Sequence, residues 1–301
     1  MPLPNKLQEI LDKLAEQTDS LVLDANKDVK GLEKRLFNSL TQYVAGFDKD
    51  KSGRIKPNRA NIKKLTTLNK FLNDSIVDEK YLKQVNGFLS SLNEAQSTIA
   101  EYFKESEVGF ENDKAFNELV DNVLVDPIRN TLTQEGLSQS VSTQIKKAVT
   151  GAVVGGYSPD QLLEELSLLI VGDDKKGGAL SRHVGQVTTD AANQYVATYF
   201  EVISGDLGLE FYLYEGSKKD STRHFCTERF GQYFHKKEIE SWASLNWGGK
   251  IPSTNSSNIF VYRGGYNCRH QIIPVSTAIV PKEVLKRAAD KGYYSLDPKL
   301  N

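Results

Sequence analysis

Apolar residues recur at three- and four-residue steps through about Phe103, the spacing of a helix that buries one stripe. Leu7, Ile10, Leu14 and Leu21 predict a first helix. After a polar break near Asn26 to Asp28, Val29, Leu32, Leu36, Leu40 and Tyr43 predict a second. Ile62, Leu65, Leu68 and Leu72 give a third, and Leu82, Val85, Leu89, Leu92 and Ile99 a fourth. So narrow a stripe fits both a self-contained bundle and a hairpin offered to a partner. The polar stretch Lys104 to Asp113 is the best boundary. Further helices are expected over Lys114 to Leu132 and Leu137 to Val154. Ser158-Pro159-Asp160-Gln161 then reads as a helix start, with Ser158 as N-cap, Pro159 at the first position and Gln161 closing a capping box. That helix ends at Gly172, and a long one over Leu180 to Ser204 leads to a strand at Phe211-Tyr-Leu-Tyr. Pro281 to Asp290, with Gly292 just beyond, predicts a closing helix.

The fold class that follows is mainly α with a small C-terminal α+β module. Residues 1–110 form a helical bundle or hairpin. Residues 111–301 form a second domain, with helices over 111–206, a short-stranded, loop-rich module over 207–276 and a helix over 280–291.

Composition narrows the function classes. The 301 residues are 39% hydrophobic and 26% charged, ordinary for a folded chain. A net charge of −1 gives no global pull toward nucleic acid or acidic lipid. No run of about eighteen apolar residues occurs, so no membrane span is expected. The first residues lack a signal peptide's apolar core, which points to a cytoplasmic protein with reduced thiols.

Phe47-Asp48-Lys-Asp50-Lys-Ser52-Gly53-Arg-Ile55 matches the first eight positions of an EF-hand loop. However, Arg59 stands where the bidentate Glu belongs, and Pro57 disturbs the helix that should follow. This argues against calcium and for an Asp/Gly turn. No phosphate loop, His-Glu-x-x-His or Gly-x-Ser-x-Gly motif is present. Glu238 and Glu240 near His235 select no reaction.

Scarce, chemically able side chains gather between Phe211 and Ser276. Both cysteines, Cys226 and Cys268, three of the four histidines (His224, His235, His270) and both tryptophans lie there. Cys226, Cys268, His270 and either His224 or His235 could surround one zinc ion. A Cys226–Cys268 disulfide and a pair of buried thiols are the other readings, and all three bring the two segments together. Asp220 and Arg223 have the spacing of a local ion pair, worth under about 1 kcal/mol if exposed. Arg223, Lys218, Lys219, Lys236, Lys237, Lys250, Arg263 and Arg269, interleaved with aromatics, could face DNA, although acidic residues among them favour a solvated surface.

The same segment resembles the C-terminal domain of the minor head proteins of tailed bacteriophages, the head-morphogenesis family typified by the F protein of phage Mu. In that family a strand leads to Asp-x-x-Arg, then often to Cys-x-x-Cys or a His, then Gly-x-x-Phe, and finally Cys-Arg-Cys before Pro-Val. Asp220, Arg223, Cys226, Gly231, Phe234, Cys268, Arg269 and Pro274 fall on the pattern. Arg229 and His270 stand where two family cysteines would be. Upstream, Thr189, Asp190, Ala192 and Asn193 match a helix that carries Arg-Thr-Glu and then Ala and Asn, with Thr188 in place of the Arg. The likeness covers about residues 137–276. It implies a non-enzymatic virion component with no bound cofactor. Such a protein binds the portal protein during head assembly, sits inside the capsid near the portal, is made in the bacterial cytoplasm, and assists DNA packaging or ejection. Scaffold, major capsid protein and packaged DNA are further partners that the likeness suggests. The competing expectation from the residues alone is a metal-dependent hydrolase or toxin using the His/Cys cluster.

Overall fold

Leu32, Leu36, Leu40 and Val44 lie on one stripe of a helix, and all four are fully buried. The same logic builds most of the protein. The computed structural model describes residues 3–27, 29–111, 114–133, 137, 141–173 and 175–295. Eight longer helices are described: α1 (Asn5–Lys27), α2 (Val29–Ala45), α3 (Arg59–Ile76), α4 (Glu79–Glu105), α5 (Lys114–Leu132), α6 (Thr143–Gly155), α7 (Pro159–Ile170) and α8 (Ala179–Asp206). Beyond them come β1 (Phe211–Gly216), α9 (His224–Thr227), β2 (Gln232–His235), α10 (Lys236–Ser241), α11 (Ile259–Tyr262), β3 (His270–Val275) and α12 (Lys282–Asp290). The chain is therefore mainly α with a small C-terminal α+β module. The helix expected from Leu137 is seen from Thr143, with residues 138–140 outside the described set.

The chain divides into two compact units, each assembled from separated segments. One unit comprises Val22–Ser90 and Val125–Thr188. In it α2 packs on α3 and α7, and α6 on both of those helices. The Ser158 capping box forms as its sequence requires, with Ser158 Oγ accepting the Gln161 amide and Gln161 Oε1 accepting the Ser158 amide. Buried Glu33 accepts from the Ser181 amide and hydroxyl at 3.0 and 2.7 Å, which satisfies the first turn of α8. The EF-hand-like stretch is an Asp/Gly turn. One Asp50 oxygen accepts from the Ser52 amide, the Ser52 hydroxyl and the Arg54 amide. Fully buried Asn61 bridges the Asp48 amide and the Asp48 and Lys56 carbonyls.

The other unit comprises Met1–Leu21, Ser91–Leu124 and Thr189–Asn301. Its helical side buries Leu7, Ile10 and Leu14 of α1, Leu92, Ile99 and Phe103 of α4, and Tyr195, Tyr199 and Phe200 of α8. Its sheet is three-stranded and antiparallel in the order β2-β1-β3, with Leu213 opposite Tyr233 and Ile273, and Gly216 opposite His270. The central strand β1 alternates, sending Tyr212 and Tyr214 to one face and Phe211 and Leu213 to the other. Pro274 can sit in β3 because β3 is an edge strand. Tyr102 of α4 donates its hydroxyl to the Pro274 carbonyl at 2.8 Å.

Candidate functional site

Tyr214 leaves β1 toward a small aromatic core containing Tyr212, Phe225, Trp242, Ile259, Phe260 and Ile272, and both cysteines are buried in that core. Cys226 arrives on the one-turn helix α9 and Cys268 on the turn before β3. Their sulfurs, expected from the sequence to share one cluster, stand 4.0 Å apart. His270, two residues on and on the same side of β3 as Ile272, brings Nδ1 to 3.9 Å from Cys268 Sγ. One ligand atom from each of these three buried residues lies within 4.8 Å of the other two. The imidazole stacks on the Tyr214 ring with centroids 5.5 Å apart, and Nε2 has no hydrogen-bond partner among the described residues. The Tyr214 hydroxyl donates to Cys226 Sγ at 3.2 Å and lies 3.9 Å from Cys268 Sγ.

The turn that supplies Cys268 wraps closely around this group. A Cβ at Gly264 would fall 2.5 and 2.8 Å from the two sulfurs, so only glycine fits without displacement. Residues on both sides adopt left-handed backbone conformations, Arg263 at φ 49° and Asn267 at φ 56°. Trp247 stacks on Phe225 with centroids 4.0 Å apart and donates Nε1–H to the Gly264 carbonyl, which orders the polar excursion between the cysteines.

Motif residues from the long helix meet the same turn. The Asp190 carboxylate accepts the Asn267 amide at 2.5 Å. The Asn193 carbonyl accepts from Arg263 Nη1 at 2.9 Å, and its side-chain oxygen accepts from Gln271 Nε2 at 3.0 Å. Thr189 is buried one turn earlier, and its carbonyl accepts from Asn193 Nδ2. Arg223 donates to the Tyr266 carbonyl at 2.6 Å. Arg269 pairs with Asp19 at 2.6 Å. Phe234 packs edge-on against Trp242, and Gly231, at φ 72°, makes the bend into β2.

Burial and neighbouring charge set the electrostatics. Desolvation pushes Asp190 up to about 6, against the opposing pull of the Asn267 amide and Arg263. The hydrogen bond with Cys226 holds the Cys268 thiol well below its ordinary value against the effect of burial, and His270 and the Arg263 charge act in the same direction as that bond. The same contact and burial push Cys226 up. Burial and both sulfurs raise Tyr214, so its phenol stays protonated.

Several sequence expectations are corrected. Asp220 is exposed, and no Asp220–Arg223 ion pair forms among the described residues, because Arg223 turns to the Tyr266 carbonyl instead. His224 is not beside the sulfurs: its side chain is 86% exposed and lies 3.4 Å from Glu228. His235 is buried elsewhere as the N-cap of α10, where its Nδ1 accepts the Lys237 amide. The basic set does not form one face, since Arg263 is only 1% exposed and Arg269 is held by Asp19. Glu238, which selected no reaction in the sequence, is buried against Arg287 and Lys291. Tyr214 and Gly264 were not singled out as site residues, and Arg263 only as one of the basic set. For Tyr214 the period-2 alternation with Tyr212 was the available signal, and for Gly264 the Gly-Gly pair after an apolar stretch.

A cavity of about 60 Å³ opens over the cluster, lined by Ser221, Arg223, Cys226, Asn267, Cys268 and His270 among others. The larger cavity of this unit, about 210 Å³, is lined by α1, α8 and sheet residues including Asp12, Asp19 and Glu215, and none of the cluster residues reach it. Comparison with known proteins adds no relative: no family model, curated protein or solved structure matches the chain.

Proposed function

We propose that this chain is a structural minor head protein of a tailed bacteriophage, bound to the portal inside the capsid and acting in head assembly. One observation carries the reading. Asp190, Asn193, Arg223 and Cys226, four of the residues on which the family likeness rests, come from separated stretches and meet the turn that holds Cys268. Such convergence is what a motif kept for architecture requires, because each residue fixes the backbone of another.

The size of the cavity supports a structural role over a catalytic one. About 60 Å³ over the cluster is far below the roughly 300 Å³ at which pockets begin to hold organic ligands. The finer parts of the proposal, contact with scaffold or major capsid protein and help with DNA packaging or ejection, rest on the resemblance alone.

The test is co-expression with the portal protein encoded beside it, followed by affinity capture of the portal. Retention of this chain at a fixed ratio to the portal is the expected result. A neighbourhood without portal or terminase genes, together with growth arrest on expression, would overturn the reading in favour of a toxin.

A further inference from the structure

We propose that Cys226, Cys268 and His270 form a binding site for one divalent metal ion of the zinc class, with its fourth coordination position open to the small cavity above them. The proposal is independent of the portal reading and stands on geometry. Tetrahedral zinc, with bonds of about 2.3 Å to sulfur and about 2.0 Å to nitrogen, places two sulfurs roughly 3.8 Å apart and a sulfur and a nitrogen roughly 3.5 Å apart. The observed separations are 4.0 Å between the sulfurs and 3.9 Å from Cys268 Sγ to His270 Nδ1, and all three ligand atoms lie within 4.8 Å of one another. Shifts of a few tenths of an ångström bring them to a shared ion.

Several further features favour a metal. His270 is 3% exposed, yet among the described residues its Nδ1 meets Cys268 Sγ and its Nε2 has no hydrogen-bond partner, and an unsatisfied buried imidazole is costly. Coordination would engage that ring. The Tyr214 hydroxyl already donates to Cys226 Sγ, the kind of outer contact that orients a thiolate ligand. Charge also balances, since two thiolates neutralise a divalent ion while buried Arg263 lies close to Asp190. Gly264 brings no Cβ against the two sulfurs. The cavity over the cluster, about 60 Å³, has room for a water at the fourth position. On binding, each thiol that is still protonated releases its proton to solvent as its sulfur–metal bond forms, and nothing is oxidised or reduced.

The experiment uses the full chain purified under reducing conditions and titrated with Co2+, then with Zn2+. One equivalent of Co2+ should produce a thiolate-to-cobalt charge-transfer band, and Zn2+ should abolish it. Cys226→Ser and Cys268→Ser should lose the band, His270→Gln should bind about tenfold or more weakly, and His224→Gln should match the unaltered chain. If the cysteine variants do not fold, the wild type alone decides. Zn2+ should slow the reaction of both thiols with a thiol reagent, and a chelator should restore it. Absence of both band and protection in the reduced chain, persistence of the band in Cys268→Ser, or its loss in His224→Gln would each overturn the site.

Discussion

The Asp190 carboxylate accepts the backbone amide of Asn267 at 2.5 Å, fastening α8 to the turn that presents Cys268. Arg263 of the same turn donates to the Asn193 carbonyl one helical turn further on. Asp190→Ala should therefore remove the acceptor of the exposed Asn267 amide and cost about 1 kcal/mol, the net worth of one hydrogen bond. Asp190→Asn, which keeps an oxygen in place, should cost less. Both tryptophans lie in this module, so urea unfolding followed by tryptophan fluorescence reads the effect where it occurs.

Gly264→Ala tests how tightly the turn encloses the sulfurs. The added Cβ would meet Cys226 Sγ at 2.5 Å, Cys268 Sγ at 2.8 Å and the Tyr214 hydroxyl at 3.4 Å. Overpacking of this kind should destabilise the module by about 1–3 kcal/mol. A variant as stable as the parent in the same fluorescence assay would mean that the turn is looser than described.

Glu238 supplies a pH signature. Burial pushes its carboxyl up, but hydrogen bonds from Arg287, Lys291 and the His235 amide outweigh that and hold it below its ordinary value. A carboxylate with a lowered folded-state value stabilises the fold above the ordinary carboxylate range. That stabilisation is lost as pH falls through the folded value. Glu238→Gln should cost about 1–2 kcal/mol near pH 7, tempered by the partial exposure of both cations. Below about pH 4 the variant and parent melting curves should converge; a constant offset across pH would exclude the ion pairs as the cause.

Asn61 is the equivalent test in the other unit. Its amide satisfies the Asp48 amide and two carbonyls while fully buried, so Asn61→Ala should lower stability by about 2–4 kcal/mol. Added Ca2+ should leave the melting temperature of the parent unchanged, because the Asp50 oxygen is already committed to its own turn and position twelve is Arg59.

Much of the helical part was legible because burial there follows a period that the sequence displays. Leu32, Leu36 and Leu40 predict α2, and Ser158 with Gln161 marks the start of α7 to the residue. The site was legible only in part. Scarcity drew attention to the cysteines, but spacing could not choose between His224 and His270. That choice depends on backbone placement: His224 takes an outward position at the start of a one-turn helix, whereas His270 occupies an inward position of β3. Arg263 reads in the sequence only as one of a basic set that could face DNA. Its burial follows from a left-handed turn that aims the side chain at Asn193, and an arginine among lysines reads as surface. The two compact units were equally hidden, since each joins segments far apart along the chain and periodicity is a local property.

The most direct test of the proposed function is quantitative mass spectrometry of DNA-filled heads purified from the bacteriophage that the proposal requires to encode this chain. The account predicts that the protein copurifies with the heads at a stoichiometry tied to the portal ring and is protected from external protease until the capsid is opened. Its absence from purified heads, with the protein remaining free in the lysate, would contradict a structural role inside the capsid.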